Sequence, residues 1–324
     1  MSDAREQAKS STKITVYAAL IGNVLVALTK IGAAVWTGSS AMTSEAVHSV
    51  VDTSNEGLLL YGYRRADRPA NEAHPLGHGR ELYFWSFIVA LLIFALGSGV
   101  SFYQGVMHVL RPRPIDDPVV SYVVLGLSFI FEGVSWLIAW RRVRADGRKF
   151  GYYNAFVRSK DPPAFMVLLE DSAALIGIVI AAAATVAAVM FNQPAWDGVG
   201  SVLIGILLGI TSIALARESK SLLIGEPADP ELARSVVDLA RRSPGVLRAN
   251  GLLTVQLSPT EIVAALSIEF ADDKRADEIE QLVVAIEHDI RKHHPEVAAI
   301  FIKPQTHTRY RHVRAERLGM SHRE

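Results

Sequence analysis

The chain is organised around residues 44–52, Ser44-Glu45-Ala46-Val47-His48-Ser49-Val50-Val51-Asp52, inside an apolar segment of about residues 39–63. His48 and Asp52 stand four positions apart, so a helix would place them on one face with their Cβ atoms roughly 5–6 Å apart. An imidazole and a carboxylate arranged in this way provide half of a tetrahedral metal site. A solvated polar face explains such a pair in a soluble helix, whereas ionisable side chains inside a membrane span are costly and functional. The interpretation of the pair therefore depends on whether the segment crosses a membrane.

The composition indicates a membrane domain followed by a soluble one. Half of the 324 residues are hydrophobic, and long apolar runs fill the first two thirds of the chain. Basic and acidic residues balance at 33 each and no basic block is long, which argues against a nucleic-acid partner. The chain has no cysteine, so disulfides, thiolate metal sites and thiol nucleophiles are excluded.

The apolar runs predict six transmembrane helices. A helix needs about 20 apolar residues to cross a hydrocarbon core roughly 30 Å thick. Runs of that length occur at about 14–36, 39–63, 82–109, 118–140, 163–191 and 196–216. Arginine and lysine are concentrated in the loops after the second and fourth runs, so these loops and both termini are expected on the cytoplasmic side. The polar N-terminal stretch lacks the apolar core of a signal peptide, which favours a bacterial inner membrane over an organelle.

After residue 226 the pattern changes to that of a small α+β domain. Asp229 followed by Pro230 predicts the start of an amphipathic helix. Two strands, a second helix and a final strand are then expected at about 252–257, 262–270, 276–293 and 298–302. The order α-β-β-α-β is that of a ferredoxin-like or metallochaperone-like open sandwich.

Four segments follow from these patterns. We predict a polar N-terminal tail at 1–12, a six-helix transmembrane domain at 13–222, a cytoplasmic α+β domain at 226–306 and a basic, poorly ordered tail at 307–324.

Polar residues inside the apolar runs are few, so each can be weighed. Asn23 and Lys30 in the first run are expected to have structural roles: Asn23 would bond neighbouring helices, and Lys30 would snorkel or pair with an acid in the bundle. The second run carries an ionisable residue every three or four positions, and the fifth carries the adjacent pair Glu170-Asp171. Adjacent carboxylates in an apolar run are costly unless a cation neutralises them. A tetrahedral divalent site would be satisfied by His48, Asp52 and Asp171, with Glu170 or water as the fourth ligand.

A second candidate site lies in the loop after the second run, His74-Pro75-Leu76-Gly77-His78-Gly79-Arg80-Glu81. His74 and His78 with a nearby carboxylate could hold an exposed metal ion. The proline and glycines predict a turn, however, and histidines in such loops are more often solvated.

These features together resemble the cation diffusion facilitators, a family of dimeric metal/proton antiporters. The resemblance rests on the HxxxD of the second run, the acidic pair of the fifth, the loop HPLGHGRE and the α-β-β-α-β domain. The stretch from Arg158 to Asp171 is similar to the subgroup that contains the mitochondrial-type zinc transporter and its bacterial relatives.

The resemblance implies roles for particular residues. His48, Asp52 and Asp171 match the transport-site ligands, and His74 and His78 match the histidines of the family's loop site. The sequence departs from the family at two places in these sites. Asn71, next to Glu72, stands where the loop aspartate is expected, and Val167 stands where the fifth helix usually carries His or Asp, so Glu170 would replace that ligand.

The resemblance also implies a homodimer. The soluble domain lacks the His and Asp that other members carry near the last strand, so it is expected to dimerise without a binuclear metal site. Arg80 stands at the position of a lysine that locks the dimer through an acid. Ile224 occupies the expected acid position, which leaves Glu218 or Glu226 for that role.

The function implied by the resemblance is efflux of a divalent cation, Zn²⁺ first, with protons as the counter-ion. An oxygen-rich ligand set also suits Mn²⁺, Fe²⁺ or Co²⁺. The protein would then be a transporter in a lipid bilayer and not an enzyme. Two alternatives remain: an intramembrane metal hydrolase, which the absence of HExxH disfavours, and a non-transporting metal sensor or scaffold with a site degraded by Val167.

Overall fold

Six helices form the first part of the chain in the computed structural model, which describes residues 22–150 and 162–317. Their bounds are Gly22–Thr37 (α1), Ser40–Ala66 (α2), Glu81–Leu110 (α3), Pro118–Phe150 (α4), Pro162–Met190 (α5) and Ala195–Ile224 (α6). The described ends follow the predicted apolar runs to within a few residues, except that α4 and α6 continue to residues 150 and 224, beyond the predicted ends at 140 and 216. The start of the first run, from residue 14 to residue 21, lies outside the described residues.

Four of these helices can cross a membrane by length and composition. Within the described part of the chain they are α3, the first 24 residues of α4, residues 166–190 of α5, and α6. The protein is therefore an integral membrane protein with a largely helical membrane part. The described part of α1 is short, and α2 has 27 residues but is more polar. Spans one and two of the predicted six thus stay predictions.

The polar residues of α2 face the interior of the bundle. Ser44, Glu45, His48 and Asn55 are each at most 1% exposed, whereas Val50 on the same helix is 42% exposed. The other helices also expose large apolar side chains on the outside of the bundle, among them Leu25, Leu110, Ile130, Met190 and Ile210. A polar interior and an apolar exterior are what a bundle in lipid requires, so the low hydropathy of α2 reflects its buried face.

Helices α3 and α6 approach each other backbone to backbone. A Cβ added to Gly105 on α3 would lie 2.7 Å from the carbonyl oxygen of Gly198 on α6. A Cβ added to Gly198 would lie 2.8 Å from the backbone nitrogen of Val109. Small residues at such crossings let membrane helices pack by close van der Waals contact. Between its two α-helical halves, α3 also contains a π-helical turn at Ile93–Ser98.

A second compact unit comprises residues 66–80 together with the chain from residue 221 onward. Its elements are α7 (Pro230–Arg242), β1 (Val246–Ser258), β2 (Glu261–Phe270), α8 (Ala276–His293), β3 (Val297–Pro304) and α9 (His307–Arg317). The sheet has the order β1-β2-β3, with β1 antiparallel and β3 parallel to β2. Its core joins Val236 and Ala240 of α7 and Ile286 and Ile290 of α8 to strand residues such as Leu266.

The predicted order α-β-β-α-β is confirmed. The Asp229 carboxylate accepts a hydrogen bond from the Glu231 backbone N–H at 2.7 Å, so the predicted N-cap is also confirmed. The prediction of a poorly ordered tail is wrong for residues 307–317, which form α9. That helix is tied to β1, because His307 Nδ1 lies 3.2 Å from Asn250 Oδ1, and Asn250 Nδ2 donates to the Gln305 carbonyl at 2.7 Å.

Candidate metal centre

His48 and Asp52 form a buried pair on α2. His48 Nε2 lies 3.5 Å from Asp52 Oδ2, which is the i, i+4 relationship that the spacing predicts. The His48 side chain is 2% exposed, and neither ring nitrogen has a hydrogen-bond partner among the described residues. Buried polar atoms are almost always paired, and an exception calls for an explanation such as an ion or a water. An imidazole left open in this way is suited to take a cation.

A small cavity next to this pair is lined mainly by acidic and polar side chains. Its volume is about 30 Å³, which is room for one water-sized species. We call it the acidic cavity and define it by its lining residues, Asn23, Val26, Ser49, Asp52, Glu56, Leu59, Glu132, Ser135, Val167, Glu170 and Asp171. It brings the α2 carboxylate Asp52 together with both predicted carboxylates of α5.

Different helices hold the two adjacent carboxylates of α5. Asn55 Nδ2 of α2 donates to Glu170 Oε1 at 3.1 Å, and Ser135 Oγ of α4 donates to Asp171 Oδ2 at 2.9 Å. Glu170 and Asp171 nevertheless both line the acidic cavity. Each therefore retains a second oxygen that could bind a cation, although adjacent helical residues point about 100° apart.

Three charged residues near the cavity, Lys30, Glu45 and Glu132, form a network, and the sequence analysis missed Glu132. Lys30 Nζ lies 3.2 Å from Glu45 Oε2 and 3.7 Å from Glu132 Oε1. Lys30 thus pairs with acids in the bundle, which is one of its two predicted roles. Asn23 joins helices, as predicted, by donating to Glu56 Oε1 at 2.6 Å. The sequence signal for Glu132 was its position as a lone carboxylate in the apolar fourth run.

The membrane part of the chain matches a known family of domains. Residues 16–224 match the family model described as the cation efflux transmembrane domain. The chain belongs to the cation diffusion facilitators. The resemblance of the sequence motifs to this family is thereby confirmed.

Similar proteins occur in animals, plants and bacteria. The chain is 33% identical over 264 residues to the human proton-coupled zinc antiporter SLC30A9, mitochondrial, and the matched region covers 81% of this chain and 46% of that protein. It is 37% identical over 229 residues to metal tolerance protein C4 of Arabidopsis thaliana, covering 70% and 50%. It is 24% identical over 276 residues to the cation-efflux pump FieF of Cronobacter sakazakii, covering 83% and 86%. The chain spans about half the length of the first two relatives.

The structure brings only some of the predicted transport ligands of this facilitator into one site. His48 contacts Asp52, and Asp52 lines the acidic cavity with Glu170 and Asp171, but His48 is not among the lining residues. Within residues 22–150 and 162–317, no three His, Asp or Glu side chains are arranged to hold a metal ion as they stand. Carboxylates without a cation between them repel one another. The four-residue ligand set therefore stays a prediction.

The predicted loop site is shaped by a turn. The rings of His74 and His78 lie 4.4 Å apart between centroids, with His78 buried and His74 exposed. Asn71, at the position of the family's aspartate, accepts the His74 backbone N–H on its side-chain oxygen at 2.8 Å. The fold thus brings the two histidines together, and metal binding there stays a prediction. So does the dimer lock through Arg80 with Glu218 or Glu226.

Proposed function

We propose that this cation diffusion facilitator exports a divalent metal ion, Zn²⁺ first, in exchange for protons. The observation that carries the proposal is the buried, unpartnered imidazole of His48 beside Asp52 and the acidic cavity, inside a cation efflux transmembrane domain. The relatives named as a proton-coupled zinc antiporter and a cation-efflux pump support the same activity. Members of this family move ions and do not catalyse a reaction, so no catalytic residue is proposed.

The ligand types favour zinc and leave other metals open. One imidazole nitrogen with two or three carboxylate oxygens, from His48, Asp52, Asp171 and Glu170, suits tetrahedral Zn²⁺. Mn²⁺, Fe²⁺ and Co²⁺ accept an oxygen-rich set nearly as well. Direct comparison of the four ions is therefore part of the test.

Proton coupling follows from the chemistry of the ligands. Imidazole and carboxylates bind metal only when deprotonated, so loading the site releases protons and protonation expels the metal. A free imidazole titrates near pH 6.5. A site open to a near-neutral compartment would take up the ion, and the same site open to a more acidic compartment would release it. The exchange then needs no separate proton path.

The membrane arrangement is part of the proposal. We propose six spans, with both termini, the ends of α2 and α4 and the loops after them on the cytoplasmic side. Residues 64–80 and 141–160 carry four and seven basic residues, against two in residues 111–117. We also propose a homodimer that assembles in part through the α+β unit. Sedimentation in detergent, together with labelling of single cysteines introduced into each loop, checks both points.

The decisive experiment measures ion flux into proteoliposomes. Uptake of Zn²⁺, Mn²⁺, Fe²⁺ and Co²⁺ is followed under an imposed pH gradient for the wild type and for Asp52→Ala. Asp273→Ala, at a side chain that is 75% exposed in the soluble unit, is the matched control. We expect gradient-driven zinc uptake that Asp52→Ala abolishes and the control retains. Equal flux in Asp52→Ala and wild type would contradict the site.

One observation favours a second candidate function. Val167 lines the acidic cavity at the position where the family usually places a ligand. A metal sensor or scaffold would bind Zn²⁺ through the remaining residues without transporting it. Zinc binding by purified wild-type protein with no flux of any of the four ions would identify that function.

A further inference from the structure

Glu132 brings a carboxylate from a third helix into the acidic cavity. It lies on α4 and its side chain is 12% exposed. It lines the same 30 Å³ space as Asp52 of α2 and Asp171 of α5. Val167, which lacks a ligand atom, lines that space as well. The cavity therefore lacks one expected ligand from α5 and gains a carboxylate from α4.

Unpartnered buried oxygen atoms around the cavity point independently to a ligand. Ser49 is 5% exposed and lines the cavity, and its hydroxyl has no hydrogen-bond partner among the described residues. Asp52 also lines the cavity, and its buried oxygen Oδ1 likewise has no hydrogen-bond partner among the described residues. An unpaired buried oxygen costs free energy because it has lost its water. A cation in the cavity would supply the missing partner for both atoms.

The charges around the cavity call for a cation too. Five carboxylates line it: Asp52, Glu56, Glu132, Glu170 and Asp171. Of the ion pairs in the described part of the chain, those that reach these carboxylates are Lys30 with Glu132 and His48 with Asp52. Burying several carboxylates near one ammonium group is costly. A divalent cation would offset two of those charges.

Lys30 is held more closely by Glu45 than by Glu132. The Lys30–Glu45 distance is 3.2 Å with both side chains fully buried, against 3.7 Å to Glu132. Glu45 does not line the cavity. Its free oxygen Oε1 packs against Gly177 of α5, where a Cβ would collide with it. Lys30 thus has a fixed partner outside the cavity and a looser one inside it.

We propose that Glu132 is a ligand of the transported ion and that Lys30 competes with the ion for it. This inference rests on the proposed function and extends its ligand set. In the ion-free state the ammonium of Lys30 is shared between Glu45 and Glu132. When the ion enters, Glu132 turns its carboxylate to the metal and Lys30 stays with Glu45. Lys30 is a positioning residue that sets the affinity, and Glu132 makes the site richer in oxygen than His48, Asp52 and Asp171 alone.

Metal affinity of the full-length protein tests this exchange. Dissociation constants for Zn²⁺ and Mn²⁺ are measured at one pH by competition with a fluorescent chelator in detergent. Glu132→Gln is expected to weaken binding by about tenfold or more, with a larger loss for Mn²⁺ because Mn²⁺ depends more on carboxylate ligands. Glu132→Asp keeps the charge and is expected to lose less. Unchanged affinity for both ions in Glu132→Gln would overturn the proposal.

Changes at Lys30 and Glu45 give effects of opposite sign. Glu45→Gln removes one of the two acidic partners of Lys30, so Lys30 pairs with Glu132 alone and competes more strongly with the ion. Metal binding therefore weakens, although residue 45 lies outside the cavity. Lys30→Met combined with Glu45→Gln removes the buried pair as a unit and frees Glu132, so binding tightens. Adding Glu132→Gln to that double variant abolishes the gain, because the two residues act through one contact. A merely structural role would weaken binding in all three, and that result would overturn the competition.

The outcomes separate this inference from the proposed function. Loss of binding in Asp52→Ala with unchanged affinity in Glu132→Gln leaves the transporter proposal intact and overturns the role of Glu132. Failure of the wild type to bind either ion would overturn both. Elution volume and thermal unfolding of each variant establish that it is folded, with Asp273→Asn as the exposed control.

Discussion

Lys30 Nζ lies 3.2 Å from Glu45 Oε2 inside the helix bundle, and neither side chain is exposed. An ion pair removed this completely from solvent has two consequences. The two charges attract each other more strongly at low dielectric than in water, and either charge left buried alone is strongly disfavoured. The pair joins α1 to α2, the helix that carries His48 and Asp52, so it also affects where those ligands stand.

Lys30→Met is expected to destabilise the protein by about 3–5 kcal/mol, because it leaves Glu45 buried without its cation. Adding Glu45→Gln should recover most of that loss. The exposed pair Arg241–Asp238, 3.4 Å apart, provides the control, and Arg241→Met should cost less than about 1 kcal/mol. Thermal unfolding in detergent measures the stability of Lys30→Met, of the double variant and of Arg241→Met. Equal stability of Lys30→Met and Arg241→Met would contradict the buried pair.

Asp197→Ala is expected to loosen the start of α2. Asp197 of α6 is fully buried, accepts the Ser39 hydroxyl at 2.7 Å on Oδ1, and accepts the Ser40 and Ala41 backbone N–H groups on Oδ2. It therefore caps a helix to which it does not belong. Each N–H left without a partner costs about 1–3 kcal/mol.

Hydrogen exchange of the Ser40 and Ala41 amides measures this effect of Asp197→Ala directly. Asp197→Asn keeps one acceptor oxygen and should lie between wild type and alanine. Zinc flux should fall with the loss of the cap, since α2 positions His48 and Asp52. Amide protection that is unchanged in Asp197→Ala would show that the helix start is held by other contacts.

Gly105→Ala is expected to separate α3 from α6. The added methyl group would lie 2.5 Å from the backbone nitrogen of Val202, and backbone cannot move aside as a flexible side chain can. Gly126→Ala on α4 is the matched control, since a Cβ there has nothing within 4 Å among the described residues. The control should be neutral or stabilising by up to about 1 kcal/mol, as alanine is favoured over glycine in helices. Thermal unfolding that ranks the two variants in the reverse order would contradict the close crossing.

Asn71→Asp is expected to strengthen metal binding in the loop. Aspartate can still accept the His74 N–H that Asn71 now accepts at 2.8 Å, and it adds a negative charge near His74 and His78. Equilibrium dialysis with Zn²⁺, in an Asp52→Ala background that removes the transport site, would report the loop alone. An additional His78→Ala change should remove the gained binding. A gain that survives His78→Ala would place the ion elsewhere.

Much of the fold could be predicted because the signals are local. Apolar runs of about 20 residues mark helices that cross lipid, and α3, α5 and the apolar part of α4 follow the predicted runs closely. Asp229 and Pro230 mark a helix start, since a cap acts within one turn. The i, i+4 spacing of His48 and Asp52 is likewise a property of one helix. The prediction failed for α9, whose order depends on contacts with β1 that its own basic sequence does not display.

The amino-acid sequence was sufficient for the family, most of the helix positions and the α-β-β-α-β order, because these depend on periodicity and on motifs within single segments. The six candidate ligands also come from such motifs, and they stay predictions. Packing alone revealed which distant residues meet. The carboxylate of Asp197 caps α2 from 158 positions away from Ser39, and Glu132 of α4 reaches both Lys30 and the acidic cavity. Such contacts depend on how each helix is rotated about its axis and on which helices are neighbours. Hydropathy along the chain indicates neither the rotation of a helix nor its neighbours, since it is the same for a carboxylate that faces a cavity and for one that faces another helix.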